Sequence, residues 1–150
     1  MADYRAPIEA QMLALETVGG LGGLADLPGF EALSVDLARA ILEESAKLAE
    51  GGLAPLGPIG DREGATWRDG AVTLPDGFAA AYRDYVAGGW SGLAADPAYG
   101  GQGLPFLLSV AVQEQMTAAN LAFSLNPLLT LGAIEALQAH GSAAQKALYL

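Results

Sequence analysis

The sequence predicts an all-α fold: a helical bundle with one long ordered loop and a possible small hairpin. Apolar residues recur at helical spacing in most segments, and pairs of glycines with prolines separate those segments. Hydrophobic residues make up 52% of the 150 residues and charged residues only 16%. A chain of this length can bury one core, and this composition also predicts more apolar surface than the chain can bury alone.

The first helix is predicted between Pro7 and Val18, with Gly19 and Gly20 ending it. Its apolar stripe consists of Ile8, Met12 and Leu15. A second helix is predicted to begin after Ser34, since serine is a favoured N-cap residue, and to run to about Ala49. Gly51 and Gly52 are expected to end that helix.

Residues 53–76 are rich in proline, glycine and aspartate, which predicts the ordered loop. Asp69-Gly70 lies between two short apolar segments and predicts a hairpin turn. Asp76 is expected to cap a helix that Gly88 and Gly89 close. One face of that helix carries Phe78, Tyr82, Tyr85 and Val86.

The C-terminal half begins with Gly100-Gly101-Gln102-Gly103, after which Pro105 opens an apolar, central helix. Asn126 and Pro127 predict the start of the next helix, and His140-Gly141 predicts its end. The inner stripe of that helix is expected to contain Leu128, Leu131, Ile134 and Leu137. Ser142 and Gln145 match a capping box, and so short a final helix predicts that the chain continues past Leu150.

Composition excludes several function classes. The net charge is −10 and the seven Lys and Arg are scattered, so no nucleic acid is expected as partner. There is no cysteine, which excludes disulfides and thiolate chemistry. No apolar run is long enough to predict a membrane span, and the N-terminus lacks the pattern of a signal peptide. A cytoplasmic protein is therefore expected.

The glycine loop has the wrong order for a dinucleotide fingerprint and lacks the lysine of a Walker loop, so we interpret it as a tight turn into the central helix. His140, the single histidine, is interpreted as a helix-terminal residue rather than a catalytic one. The carboxylates of Glu43, Glu44, Asp61 and Glu63 are interpreted as solvated surface, and no metal site is predicted. Glu114 is either an acid/base group or an acceptor of hydrogen bonds from a neighbouring element, and we favour the second reading.

Two blocks carry a resemblance to a known family. The first contains Gly89-Trp90 followed by Pro97, Tyr99, Gly100, Gly101 and Gly103, and the second contains Gly141, Ser142, Gln145, Lys146, Tyr149 and Leu150. At this spacing the sequence resembles the N-terminal helical domain of acyl-CoA dehydrogenases. Its long N-terminal region is similar to the subfamily of methylthiopropionyl-CoA dehydrogenases, and the resemblance covers nearly the whole chain.

The resemblance implies an N-terminal α-helical domain over residues 1–150, with an extension and first helix in 1–33 and the main helices in 34–150. A middle domain and a C-terminal domain are expected beyond Leu150. The implied activity is α,β-dehydrogenation of an acyl-CoA, in fatty acid metabolism, by a carboxylate base and FAD. The base and most flavin contacts are expected beyond Leu150, so no catalytic or cofactor-binding residue is assigned here. Implied partners are the acyl-CoA substrate, an electron-transfer flavoprotein and, in the full-length protein, further copies of the chain.

The resemblance further implies one wall of an acyl pocket, lined by Phe123, Leu125, Leu128 and Gly132. Ordinary packing between helices remains an open alternative for each of them. Two rival functions also remain open: a stand-alone helical binding module without catalysis, and an acyl-CoA oxidase that passes electrons to oxygen.

Overall fold

The computed structural model describes residues 4–150, and the fold of that part is helical with one small sheet. The predicted all-α class is therefore confirmed. The two strands, β1 (Thr66–Arg68) and β2 (Ala71–Thr73), form an antiparallel hairpin. The helices are α1 (Ile8–Thr17), α2 (Leu21–Leu24), α3 (Val35–Lys47), α4 (Gly57–Glu63), α5 (Phe78–Ala87), α6 (Phe106–Ala119), α7 (Leu121–His140) and α8 (Ala143–Tyr149).

A single apolar core joins most of these elements. Most of its fully buried apolar side chains come from α1, α3, α5 and α6, together with the segment that follows α3. They include Met12, Leu42, Leu53, Tyr85, Leu108 and Met116. As predicted from its apolar sequence, α6 is central, with six of its side chains buried.

The beginning of α3 is confirmed, because the Ser34 hydroxyl accepts a hydrogen bond of 3.0 Å from the Leu37 amide. The α-helix ends at Lys47, close to the predicted end near Ala49. The expectation that Gly51 and Gly52 end the helical segment is wrong, because the chain continues through a π-helical turn, Leu48–Leu53. That turn buries the Leu53 side chain completely, and this burial outweighs the modest conformational cost of two glycines.

The prediction of a loop over residues 53–76 is also wrong in its first half. A 3₁₀ turn, Ala54–Leu56, leads directly into α4. Pro55 and Pro58 occupy the opening positions of these two short helices, where the missing N–H of proline leaves no hydrogen bond unmade. Proline therefore starts helices here rather than breaking them.

The predicted hairpin is confirmed, with Trp67 opposite Val72. Asp69 and Gly70 both have positive φ, 51° and 81°, as a two-residue type I′ turn requires. The Trp67 side chain is 73% exposed and is not part of the core.

The N-cap prediction for α5 is wrong: Gly77, with φ 94°, occupies that position and no side chain caps the helix. Its buried residues are Ala81 and Tyr85, while Tyr82 and Val86 are exposed. The predicted end at Gly88 is confirmed.

The predicted start of α7 at Asn126 and Pro127 is wrong by six residues. The helix begins after Asn120 and runs through Pro127, because Asn120 is held by a tertiary contact to the carbonyl of Leu53. The predicted end at His140 and the capping box of α8 are both confirmed. Within the described residues, none of the helices is long and apolar enough to cross a membrane.

Candidate functional site: the apolar face of α7

A broad apolar surface follows one side of α7. At 100° per residue, Leu125, Leu128, Leu129 and Gly132 fall within an arc of about 100°. The three leucines are 52%, 46% and 76% exposed. We call these four residues the α7 face. A contiguous exposed apolar surface on a helix is typical of a site that binds a ligand or another part of a protein.

Gly132 forms a gap in the α7 face. A Cβ atom added at this position would meet no atom within 4 Å. The expectation that Leu128 lies on an inner stripe is wrong, because its side chain is 46% exposed. For Leu125, Leu128 and Gly132, ordinary core packing does not explain the residue type, and their role as an acyl wall stays a prediction.

Phe123, the fourth predicted residue, lies elsewhere. Its ring is buried, with its centroid 5.8 Å from that of Tyr85 in an edge-to-face arrangement and 6.5 Å from that of Tyr82. It borders a groove of about 1140 Å³ between α4, α5 and the start of α7, which Leu125, Leu128 and Gly132 do not reach. The structure thus brings three of the four predicted residues together and separates Phe123 from them.

A polar seam between α6 and α7 fixes which side of α7 faces outward. The Thr117 hydroxyl donates to the Ser124 hydroxyl over 3.2 Å, and the Ser124 hydroxyl donates to the Leu121 carbonyl over 2.9 Å. Ser124 is 2% exposed, so its side chain faces α6 and this pair of bonds fixes the rotation of α7 about its axis. Sequence reasoning missed this pair, although two small hydroxyl residues in otherwise apolar helices are a usable signal.

The glycine loop before α6 has no free donors for a phosphate. The amides of Gly101, Gln102 and Gly103 donate to the carbonyls of Asp96, Gly92 and Ala95, respectively, over 3.1, 2.8 and 3.0 Å. Gly100 and Gly103 have φ of 88° and 63°, which glycine adopts readily. The interpretation of this loop as a tight turn is confirmed, and it does not fit the pyrophosphate of a dinucleotide.

Glu114 is an acceptor in a helix contact, as favoured from the sequence. It lies on the exposed side of α6, and the Gln11 side-chain amide donates to its Oε2 over 2.9 Å. His140 is exposed at the end of α7. The acidic residues Glu43, Glu44, Asp61 and Glu63 are exposed as well, and no group of three potential metal ligands occurs within residues 4–150.

The fold and the site define a helical domain that presents an apolar helix face. Residues 38–150 match the family described as acyl-CoA dehydrogenase, N-terminal domain. The chain is 42% identical over 147 residues to 3-methylmercaptopropionyl-CoA dehydrogenase of Ruegeria pomeroyi, covering 98% of this chain and 25% of that protein. It is 31% identical over 124 residues to the broad-specificity linear acyl-CoA dehydrogenase FadE5 of Mycobacterium tuberculosis, covering 81% of this chain and 20% of that protein.

The chain belongs to the acyl-CoA dehydrogenase family, in which it corresponds to the N-terminal domain. It spans about a quarter or less of the length of these two relatives. The predicted family is thus confirmed.

Proposed function

We propose that this chain is the N-terminal helical domain of a flavin-dependent enzyme that dehydrogenates an acyl-CoA thioester between its α and β carbons. In this proposal the α7 face is one wall of the acyl pocket. The observation that carries it is the gap at Gly132 within an exposed leucine surface. Both relatives are named as acyl-CoA dehydrogenases, which supports the same class of substrate.

The proposed wall acts by desolvation and shape. Burying an acyl chain against Leu125 and Leu128 is favourable by about 25 cal/mol for each Å² of apolar surface removed from water. The missing side chain at Gly132 leaves room for the chain to pass close to the helix backbone. Since the α7 face carries no ionisable group, it has no part in moving protons.

FAD supplies the hydride acceptor when it is bound. The glycine loop does not fit the pyrophosphate of FAD, so no residue of this loop is assigned to flavin binding. The proposal places the base and most flavin contacts in the parts of the enzyme that correspond to the unmatched three quarters of the relatives. An electron-transfer flavoprotein as acceptor, a homo-oligomeric enzyme and a cytoplasmic location complete the proposal.

The test is a comparison of Gly132→Leu with Thr130→Leu in the whole enzyme. Thr130 is exposed on the same helix but points about 160° away from Gly132, so it controls for adding a leucine to α7. We expect Gly132→Leu to raise KM or abolish turnover for bulky acyl-CoA substrates with flavin content unchanged, whereas Thr130→Leu retains normal kinetics. Equal kinetics in the two variants would show that Gly132 does not line the acyl pocket.

A further inference from the structure

The segment before residue 38 lies outside the matched family region, yet it is built into the core. Met12, Leu15 and Leu21 are 1%, 5% and 2% exposed. Burial of this extent is typical of an integral helix rather than an appended tail. The extension therefore has a structural task that the family match does not explain.

A buried amide network fastens α1 to the two central helices. The Gln11 Nε2 donates to the Ala111 carbonyl over 3.0 Å and to Glu114 over 2.9 Å. Gln115 Nε2 in turn donates to Gln11 Oε1 over 2.7 Å and to the Leu42 carbonyl over 3.3 Å. The Ser45 hydroxyl completes the network by donating to Gln115 Oε1.

A second attachment lies just before α1. Glu50, in the π-helical turn, accepts hydrogen bonds from the Arg5 side chain over 2.6 Å and from the Ala6 amide over 2.9 Å. Residues 4–18 are thus held near their start by the contacts of Arg5 and Ala6 with Glu50 and in the middle by the buried contacts of Gln11. Between them, Glu9 forms an exposed ion pair with Arg39.

We propose that residues 4–18 form a strap that latches α3 to α6 through Gln11 and opens as a unit before the rest of the fold. Once the strap leaves, Gln115 still donates to Leu42 and still accepts from Ser45, so the remaining helices keep a satisfied polar contact. Contiguous elements can open locally at a free energy at or below that of global unfolding, even though opening the strap exposes Met12 and Leu15 to water. Because α6 also carries the seam that orients α7, the strap supports the helix that presents the α7 face.

The latch depends on the arrangement of donors and acceptors, and this makes it testable. Gln11→Glu places a carboxylate against two acceptors, the Ala111 carbonyl and Glu114, and should release the strap. The swap Gln11→Glu with Glu114→Gln restores one donor and one acceptor across the same gap. Glu9→Gln is the matched control, since it breaks only an exposed ion pair of α1 with Arg39.

The experiment is amide hydrogen exchange of the intact chain, read separately for α1, α3 and α6. We expect Gln11→Glu to speed exchange in α1 by about 10- to 100-fold, with a smaller effect in α3 and α6. The swap should restore most of the lost protection, and Glu9→Gln should change exchange in α1 by less than about fivefold.

Equal acceleration in α1, α3 and α6 would show that no separate strap exists, and failure of the swap to restore protection would exclude the Gln11 latch. If Gln11→Glu unfolds the whole chain, Gln11→Met, which removes the same donors without adding charge, decides by the same comparison of α1 with α3 and α6. None of these readouts requires enzyme activity, so the result is independent of the proposed function.

Discussion

The side-chain oxygen of Asn120 accepts a hydrogen bond of 3.0 Å from the amide of Phe123, while its side-chain nitrogen donates to the Leu53 carbonyl over 3.1 Å. Asn120 is 5% exposed. One side chain therefore caps α7 and ties it to the turn that follows α3. This double role places the start of α7 and thereby the position of every residue on the α7 face.

Replacing Asn120 should cost more than the loss of an ordinary cap. Asn120→Ala removes the cap, worth about 1 kcal/mol, and also removes the buried hydrogen bond to the Leu53 carbonyl, worth about 0.5–1.5 kcal/mol more. Ser142→Ala, in the exposed capping box of α8, is the control and should cost about 1 kcal/mol. Urea denaturation of the two variants measures the difference, and equal losses would contradict the double role.

The glycine loop should tolerate no side chain at its centre. A Cβ on Gly101 would lie 2.1 Å from the backbone oxygen of Ala95, so Gly101→Ala must displace backbone and is expected to cost about 1–3 kcal/mol. Gly51→Ala is the contrast, because a Cβ there meets no atom within 4 Å and reduces the entropy of the unfolded chain. Thermal unfolding should rank Gly101→Ala below the wild type and Gly51→Ala at or above it, and the reverse order would contradict this packing.

Acid should weaken the attachment at Glu50. The Ala6 amide, and next to it the Arg5 guanidinium, lower the pKa of Glu50, whereas the unfolded value is about 4.3. A folded pKa below the unfolded one stabilises the fold at pH above the unfolded value, and this stability is lost as pH falls through the folded pKa.

Glu50→Gln should therefore reduce the loss of stability between about pH 6 and pH 3. Glu63→Gln, at an exposed position of α4, is the control and should retain the wild-type loss. Urea midpoints across this range provide the measurement. An unchanged pH profile in Glu50→Gln would show that this contact does not contribute to acid sensitivity.

The α7 face should bind apolar dyes when the 150-residue chain is studied alone. Leu125→Ser with Leu129→Ser should remove most of the fluorescence enhancement of such a dye, because both side chains are exposed on this face. Leu13→Ser with Val18→Ser, at exposed positions on or just after α1, is the control. If the control pair lowers the signal as much, the α7 face is not a distinct apolar site.

The sequence predicted correctly those features that depend on residues close together in the chain. Ser34 and Ser142 cap helices because their own hydroxyls reach amides three residues ahead, and Asp69-Gly70 makes its turn from its own backbone preferences. The errors arise where distant contacts prevail. Asn126-Pro127 has the pattern of a helix start, but the bond from Asn120 to Leu53, 67 residues away, begins the helix earlier and carries Leu128 to the surface.

The candidate site was predicted only through the family resemblance. Composition and spacing do not distinguish an exposed leucine on α7 from a buried one, since α7 is apolar on nearly all sides. The rotation of α7 about its axis is set by the hydrogen bond between Thr117 and Ser124 and by the packing of the Phe123 ring against Tyr85. Both are tertiary contacts between residues whose types alone do not specify partners.

The central claim is that this chain is one domain of a flavin-dependent dehydrogenase. The most direct measurement is the intact mass of the native protein containing this sequence, together with its visible absorption spectrum. The account predicts a mass several-fold above 15.3 kDa and a bound flavin, with the isolated 150-residue chain lacking both flavin and activity. A native mass of 15.3 kDa without flavin would contradict the claim and favour a stand-alone binding module.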